Sequence, residues 1–229
     1  MGSKNRIAKD ILPLMLQHRK ENQYWVEPFV GGANMIDKVT GNRIGSDINK
    51  YLIACLDAMS KGWIPDQNYT EQLYNNLKNN INNYPDYLVG YFGFALSYGG
   101  KWFGGWRRDS VGKRNYVLEA FNNAKKQQQK LVGINFINSS YDNLDIPASS
   151  IIYCDPPYAS TTKYKDNFNH EQFWLWCEQQ INNGHKVFVS EYNAPSHWKC
   201  IWEKEITSSL TQDTGSKKAI ERLFTLENI

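Results

Sequence analysis

Tyr24-Trp25-Val26-Glu27-Pro28-Phe29-Val30-Gly31-Gly32-Ala33-Asn34 is a run of β-branched and aromatic residues that breaks into a glycine turn. Such a run, bounded by turn residues, predicts a strand (residues 24–29) leading through the turn into a helix. Six further runs of this kind stand at 43–47, 134–138, 150–154, 186–190, 201–206 and 222–226. Between several of them apolar residues recur at helical spacing: Ile7, Leu12 and Leu16 near the start, then 48–59, 117–131 and 173–181. Alternating strands and helices predict an α/β fold, a doubly wound, mainly parallel Rossmann-like sheet covered on both faces. The last two runs have no helix between them and are expected as an antiparallel pair at the sheet edge.

Glycines at a strand-to-helix turn let the backbone pass close to a small ligand, with the helix N-terminus beneath it. Asp47 ends the next strand, sixteen residues after Gly31. In nucleotide-binding α/β folds a carboxylate at this place accepts hydrogen bonds from ribose hydroxyls. Together the two features point to an adenosine-type ligand. Taken alone, Asp47 would serve equally well as N-cap of a helix starting near Ile48.

A second stretch, Ile151-Ile152-Tyr153-Cys154-Asp155-Pro156-Pro157-Tyr158, delivers an acid, two prolines and an aromatic to the end of an apolar strand. Ligands bind at that end of open α/β sheets. Two prolines remove two amide donors and stiffen the segment, leaving carbonyls to accept hydrogen bonds. This suits an amine donor such as the adenine N6 group, whose lone pair is delocalised into the ring. If the Asp155 carboxylate and the Pro156 carbonyl each take one N6 hydrogen, the lone pair can aim at an electrophilic methyl, with the base stacked on Tyr158. An activated methyl asks for positioning and electrostatics rather than a metal.

The alternation fails between about Gly62 and Lys113. This interval reads as an insertion. Its Asn-rich patch, 75–83, is interleaved with Leu73, Leu77, Ile81 and Tyr84 and is expected to be an amphipathic helix. Residues 101–130 hold eight Lys and Arg against two acids, a net +6 in a chain whose total is +3. A basic segment on a slightly acidic body is the footprint of a phosphate-binding surface. Lys125, Lys126 and Lys130 are expected on a solvated helix face, and Phe173, Trp176 and Ile181 in the core.

The 229 residues suit one compact domain or a core with an insertion. No run is apolar enough for a membrane span and no signal peptide is visible, so the expected location is cytoplasmic. Cys55, Cys154, Cys177 and Cys200 are far apart and read as reduced thiols. His18, His170, His185 and His197 lack metal-ligand spacing, and surface or capping roles are expected of them; no metal is implied.

Glu27-Pro28-Phe29-x-Gly31, Ser46-Asp47-Ile48-Asn49 and Asp155-Pro156-Pro157-Tyr158, in this order, resemble the Dam-type (D12 class) DNA adenine N6-methyltransferases, especially small phage-borne members. Gly2-Ser3-Lys4 and Ser190-Glu191-Tyr192-Asn193-Ala194-Pro195 extend the resemblance over almost the whole chain. It implies a methyltransferase core at 1–61 and 114–229 and an inserted, mostly helical target-recognition region at 62–113. It implies S-adenosylmethionine as cofactor, held by Lys4, Glu27, Pro28, Phe29, Gly31, Gly32, Ala33, Asn34, Asp47, Ile48, Ser140, Tyr141 and Asp155. Asp155, Pro156, Pro157 and Tyr158 would face the target adenine. The sequence departs from the family pattern at Ala33, where glycine is usual, and at Ser140-Tyr141, where relatives carry an aspartate before the aromatic.

The partner implied is double-stranded DNA, met by a monomer or weak dimer, as a lone enzyme or within restriction-modification. Lys101, Trp102, Trp106, Arg107, Arg108, Lys113 and Arg114 are the expected DNA contacts, the arginines reaching guanine edges or phosphates and the tryptophans wedging the base stack while the target base is flipped out. For Trp102 and Phe103 a place in the insertion's small core is equally consistent with the sequence. Methylation of cytosine N4, usual where serine replaces the acid, RNA methylation, and an inactive DNA-binding relative remain alternatives.

Overall fold

The computed structural model describes residues 4–109, 111–158, 168–207 and 218–226. Seven strands form one sheet: β1 (Trp25–Glu27), β2 (Arg43–Asp47), β3 (Ile134–Asn138), β4 (Ile151–Cys154), β5 (Lys186–Glu191), β6 (Lys199–Thr207) and β7 (Lys218–Thr225). Their spatial order is β3-β2-β1-β4-β5-β7-β6. The first five are parallel, and β7 runs antiparallel to both β5 and β6. The expected antiparallel pair is therefore present, with the later strand inserted next to the parallel core.

Side chains alternate across the sheet. Trp25, Phe136, Ile151, Tyr153, Phe188 and Leu223 face α1 (Ala8–Leu16), α2 (Lys50–Ser60) and α5 (Tyr116–Leu131) in one hydrophobic core. Val26, Ile44, Ile152, Cys154, Val187, Val189 and Phe224 face α6 (His170–Asn182) in another. With helices on both faces, all four residues of β4 are buried, which is why that strand reads as a continuous apolar run. Phe173 and Trp176 are buried in the α6 layer and Ile181 partly so, while Lys125, Lys126 and Lys130 are exposed on α5.

Asn49, Asn115 and Asn169 cap α2, α5 and α6, each side chain accepting the backbone N–H three residues on. Between α2 and α5 lie α3 (Glu71–Asn79), a 3-10 turn (Ile81–Asn83), and α4 (Asp86–Gly90), which runs into a π-helical turn (Tyr91–Ala95). The expected helix in the Asn-rich patch thus ends at Asn79, where Asn80 leaves helical geometry and Ile81 opens a separate turn. Gly90 is what lets α4 lie against α2: a Cβ there would sit 2.0 Å from the Tyr51 carbonyl oxygen.

The glycine turn after β1 is not followed by the expected helix. Only a 3-10 turn, Ile36–Lys38, precedes β2, too short to present a helix N-terminus to a ligand. Among the described residues, no helix is long and apolar enough to cross a membrane.

Candidate active site at the carboxyl ends of the central strands

From β1 the chain continues to β2 on one side, and from β4 to β5 on the other, so the winding reverses between β1 and β4. Crevices at such reversals, outside the carboxyl ends of the strands, bind ligands in α/β sheets. Glu27 ends β1 and Asp155 follows β4, so the two acids flank this place.

Asp155 keeps 23% of its side-chain surface accessible, and its Oδ1 lies 3.2 Å from Lys4 Nζ. Burial pushes its carboxyl upward; Lys4 opposes this without cancelling it. Burial alone would lower the Lys4 ammonium, yet Asp155 and Glu221 outweigh that and hold it above its ordinary value. Pro156 is buried and Pro157 half-buried. The Tyr158 hydroxyl donates to Glu221 Oε2 at 2.7 Å and accepts from Lys4. Its ring meets Tyr192 edge-on, with centroids 4.5 Å apart. Burial, reinforced by the two carboxylates, raises the phenol far above its usual range, so it stays protonated.

Glu27 is 3% exposed and accepts the Trp25 indole N–H at 2.8 Å. Burial pushes its carboxyl up to about 8, the indole opposing and Asp155 adding. It is mainly neutral at pH 7.

On the β1–β2 side, the Gly31 N–H points to Asp47 Oδ2 at 3.3 Å, and the Asn49 N–H donates to Oδ1 at 2.9 Å. Asp47 therefore ties the glycine turn to the end of β2, and Asn49, not Asp47, caps α2. Burial raises the Asp47 carboxyl against these backbone donors. The Gly32 carbonyl accepts from Gln127 on α5 at 2.9 Å, and Asn34 is half-buried beside Gly32. Ala33 is buried with φ +56°, the left-handed region that explains why glycine is favoured here. Pro28 is buried, and Ile48 is 79% exposed. Phe29 packs on Tyr141, centroids 5.3 Å apart, and Ser140 heads the 3-10 turn Tyr141–Asn143. The structure thus gathers most of the expected cofactor residues into two neighbouring groups along one sheet edge; Gly2 and Ser3 lie outside the described residues.

The expected DNA contacts lie elsewhere, on a pinned loop. Tyr98 N–H donates to the Gly105 carbonyl at 2.8 Å and Phe103 N–H to the Gly93 carbonyl at 2.9 Å. Phe103 is buried; Trp102 is 39% exposed and stacks on Tyr51 at 5.2 Å, and Trp106 packs on Tyr74 at 5.5 Å. Lys101 and Lys113 are exposed. Arg107 lies 4.4 Å from the Tyr116 ring centroid and Arg114 4.7 Å. Arg108 is paired with Glu71, and Arg114 with Glu119 at 2.7 Å. Trp106, Arg107, Arg108, Arg114 and Tyr116 line an open cleft of about 490 Å³.

Two residues of these sites escape sequence reading. Glu221 stands inside β7, and a strand begun at Arg222 leaves it out; the signal was an acid two residues before Leu223, in an inward-facing slot. Tyr116 is the aromatic support for two arginines, hidden at the start of α5. Of the surface or capping roles expected of the histidines, His185 has no surface one: it is buried, and its Nδ1 accepts the Ser150 backbone N–H at 3.1 Å. The other three histidines are not buried, and His197 pairs with Glu178. Among the described residues, no group of three or more His, Cys, Asp or Glu is placed to hold a metal.

No curated protein matches the chain. Solved structures similar to it include yhhF of Escherichia coli, assigned as a methyltransferase (12% identity, 97% of this chain and 87% of that one, TM-score 0.38). A second is an rRNA methylase from Streptococcus thermophilus (8%, 99% and 99%, TM-score 0.39). A third is SMU.472, also assigned as a methyltransferase and complexed with SAH (11%, 99% and 53%, TM-score 0.35). Similarity at this level says nothing about what the present chain acts on. The family comparison says more, because the sequence model of one family matches residues 1–99 and 102–214, nearly the whole chain. The chain belongs to the D12 class N6 adenine-specific DNA methyltransferases, enzymes that methylate adenine in DNA.

Proposed function

We propose that the chain moves the methyl group of S-adenosylmethionine to N6 of an adenine flipped out of double-stranded DNA. The observation that carries this reading is the placement of Asp155-Pro156-Pro157-Tyr158 at the winding reversal, with a partly accessible carboxylate beside Tyr158. The residues present fit such a cofactor. The glycine turn at Gly31-Gly32 offers close backbone approach, Asp47 stands at the end of β2 for ribose hydroxyls, and Lys4, Asp155 and Glu221 together hold one negative charge in excess. When bound, the cofactor supplies an electrophilic methyl group.

The protein's part is positioning. Asp155 accepts one N6 hydrogen and the Pro156 carbonyl the other, which localises the nitrogen lone pair. Tyr158 supplies a ring wall for the base, braced by Tyr192. A base inside a duplex is out of reach of these groups, so it must leave the stack. Residues 62–113 are the target-recognition region in this reading, with Lys101, Trp102, Trp106, Arg107, Arg108, Lys113 and Arg114 as its DNA contacts.

Asp155→Ala is expected to fold, since its carboxylate sits in a crevice rather than in the core, and to lose methyl transfer measured with tritiated cofactor. Retained transfer would remove the mechanism.

A further inference from the structure

Glu221 is a buried carboxylate that the amine chemistry above does not use. It reaches the site because β7 is antiparallel to β5, so the first half of β7 arrives at the carboxyl edge, where β4 delivers Asp155. Two positions from Leu223, it shares the sheet face of that residue, the face that carries Trp25 and Tyr153. It is 6% exposed. One oxygen, Oε2, accepts from Lys4 Nζ at 2.9 Å and from the Tyr158 hydroxyl at 2.7 Å.

A carboxylate this deep is stable only when compensated, and Lys4 compensates it. Lys4 is also shared: its contact to Asp155, at 3.2 Å, is the longer of its two ion pairs. Among these three side chains, two carboxylates against one ammonium leave one negative charge beside the crevice. Without Glu221, Lys4 and Asp155 would pair one to one. The ammonium would then compete more strongly with an incoming amine for the Asp155 oxygens, the Tyr158 hydroxyl would turn fully to Asp155, which it also reaches, and the excess charge would vanish.

We propose that Glu221 is a positioning residue for methyl transfer: it takes a share of Lys4 and of the Tyr158 hydroxyl, both of which also reach Asp155, so that neither is committed to Asp155 alone, and its charge makes the crevice favour a cationic sulfonium donor over the neutral thioether product. This rests on the methyl-transfer reading. Product discrimination follows from the same charge, because the donor carries a positive charge that the spent cofactor lacks. In a partly buried site one charge is worth about tenfold or more in affinity.

The test is calorimetric titration of the full chain with S-adenosylmethionine and S-adenosylhomocysteine, for the wild type, Glu221→Gln and Glu221→Asp, with thermal melting to confirm folding and steady-state kinetics on DNA. Glutamine keeps size and an acceptor oxygen but loses the charge. It is expected to weaken S-adenosylmethionine about tenfold and S-adenosylhomocysteine less than twofold, and to lower kcat at least tenfold with KM for DNA little changed. Aspartate keeps the charge but falls short of Tyr158. It is expected to hold the affinity ratio within twofold of wild type while kcat drops, and it decides the matter should glutamine unfold the chain. An unchanged ratio in Glu221→Gln, or an unchanged kcat in Glu221→Asp, overturns the role given to Glu221 and leaves the methyl-transfer reading standing. A wild-type chain that binds neither ligand overturns that reading, and this inference with it.

Discussion

Glu27 shows how a single buried group ties stability to pH. Burial raises its carboxyl from 4.5 to about 8; among the described residues the Trp25 indole is its hydrogen-bond donor and opposes the shift, while nearby Asp155 adds to it. A folded-state pKa above the unfolded one means that the native state binds the proton more tightly. The resulting stability is fully present below about pH 4.5 and is lost as pH rises through about 8. Asp47 and Asp155 are shifted in the same direction and add to the trend. Each unit is worth about 1.4 kcal/mol, so a few kcal/mol are at stake, on the order of 10 °C in melting temperature for a chain of this size. Melting curves at pH 5.5 and 8.5 should therefore show a clear loss at the higher pH, and Glu27→Gln should flatten most of it. An equal loss in the variant would place the titrating group elsewhere. None of this is legible in the sequence, where Glu27 is one residue of a turn motif. Its protonation depends on a neighbouring strand, β4, that lies more than a hundred residues away. Ala33 is a similar case: its identity is plain, but its left-handed φ of +56° belongs to a turn that its own N–H closes on the Val30 carbonyl at 2.8 Å.

At the scale of elements, what the sequence shows depends on whether a segment is stabilised by pattern or by fit. The central strands β1, β4 and β5 were readable because they are covered on both faces and demand apolar runs, the outer ones from β-branched and aromatic residues bounded by turns, and α2, α5 and α6 because their buried stripes repeat at helical spacing. The interval between α2 and α5 is different. There α4, its π-helical extension and the glycine loop are fixed by close approaches: Gly90 against the Tyr51 carbonyl, and Gly93 beneath the Trp102 ring, 2.4 Å from where a Cβ would be. Such contacts have no period. They predict a sharp contrast between two substitutions. Gly90→Ala must push α4 off α2 and should cost more than about 3 kcal/mol in urea unfolding, because backbone cannot yield as a flexible side chain can. Gly112→Ala, at φ +69° with nothing within 4 Å, should cost only the strain of a left-handed residue, roughly 1–2 kcal/mol. Equal costs would mean that the α2–α4 contact contributes little. The helix expected after the glycine turn failed for the same reason. The turn is held by Asp47 and Gln127, and no helix is needed to brace it.

For the whole molecule, the question is how a chain with a net charge of only +3 engages a polyanion. Its basic segment, 101–130, carries +6, but the structure shows that this charge is not equally available. Arg108 is held by Glu71 and Arg114 by Glu119, and Lys125, Lys126 and Lys130 lie on the solvated side of α5. Arg107 makes no ion pair among the described residues, and its guanidinium carbon stands 4.4 Å from the Tyr116 ring centroid at the edge of the open cleft, a cation–π contact that orients its donors at small entropic cost. If this cleft is the phosphate surface, Arg107→Ala should weaken duplex binding about tenfold and reduce the slope of log affinity against log salt by about 1. Glu71→Gln should act in the opposite sense, releasing Arg108 to the DNA and steepening the slope by a similar amount. Fluorescence anisotropy of a labelled duplex between 50 and 200 mM salt, roughly the range over which phosphate contacts are screened, measures both. A wild-type slope in Arg107→Ala would move the DNA surface away from the cleft. The paired glutamate variant separates that outcome from general charge loss, because it changes the net charge by the same amount in the other direction without touching the cleft's aromatic support.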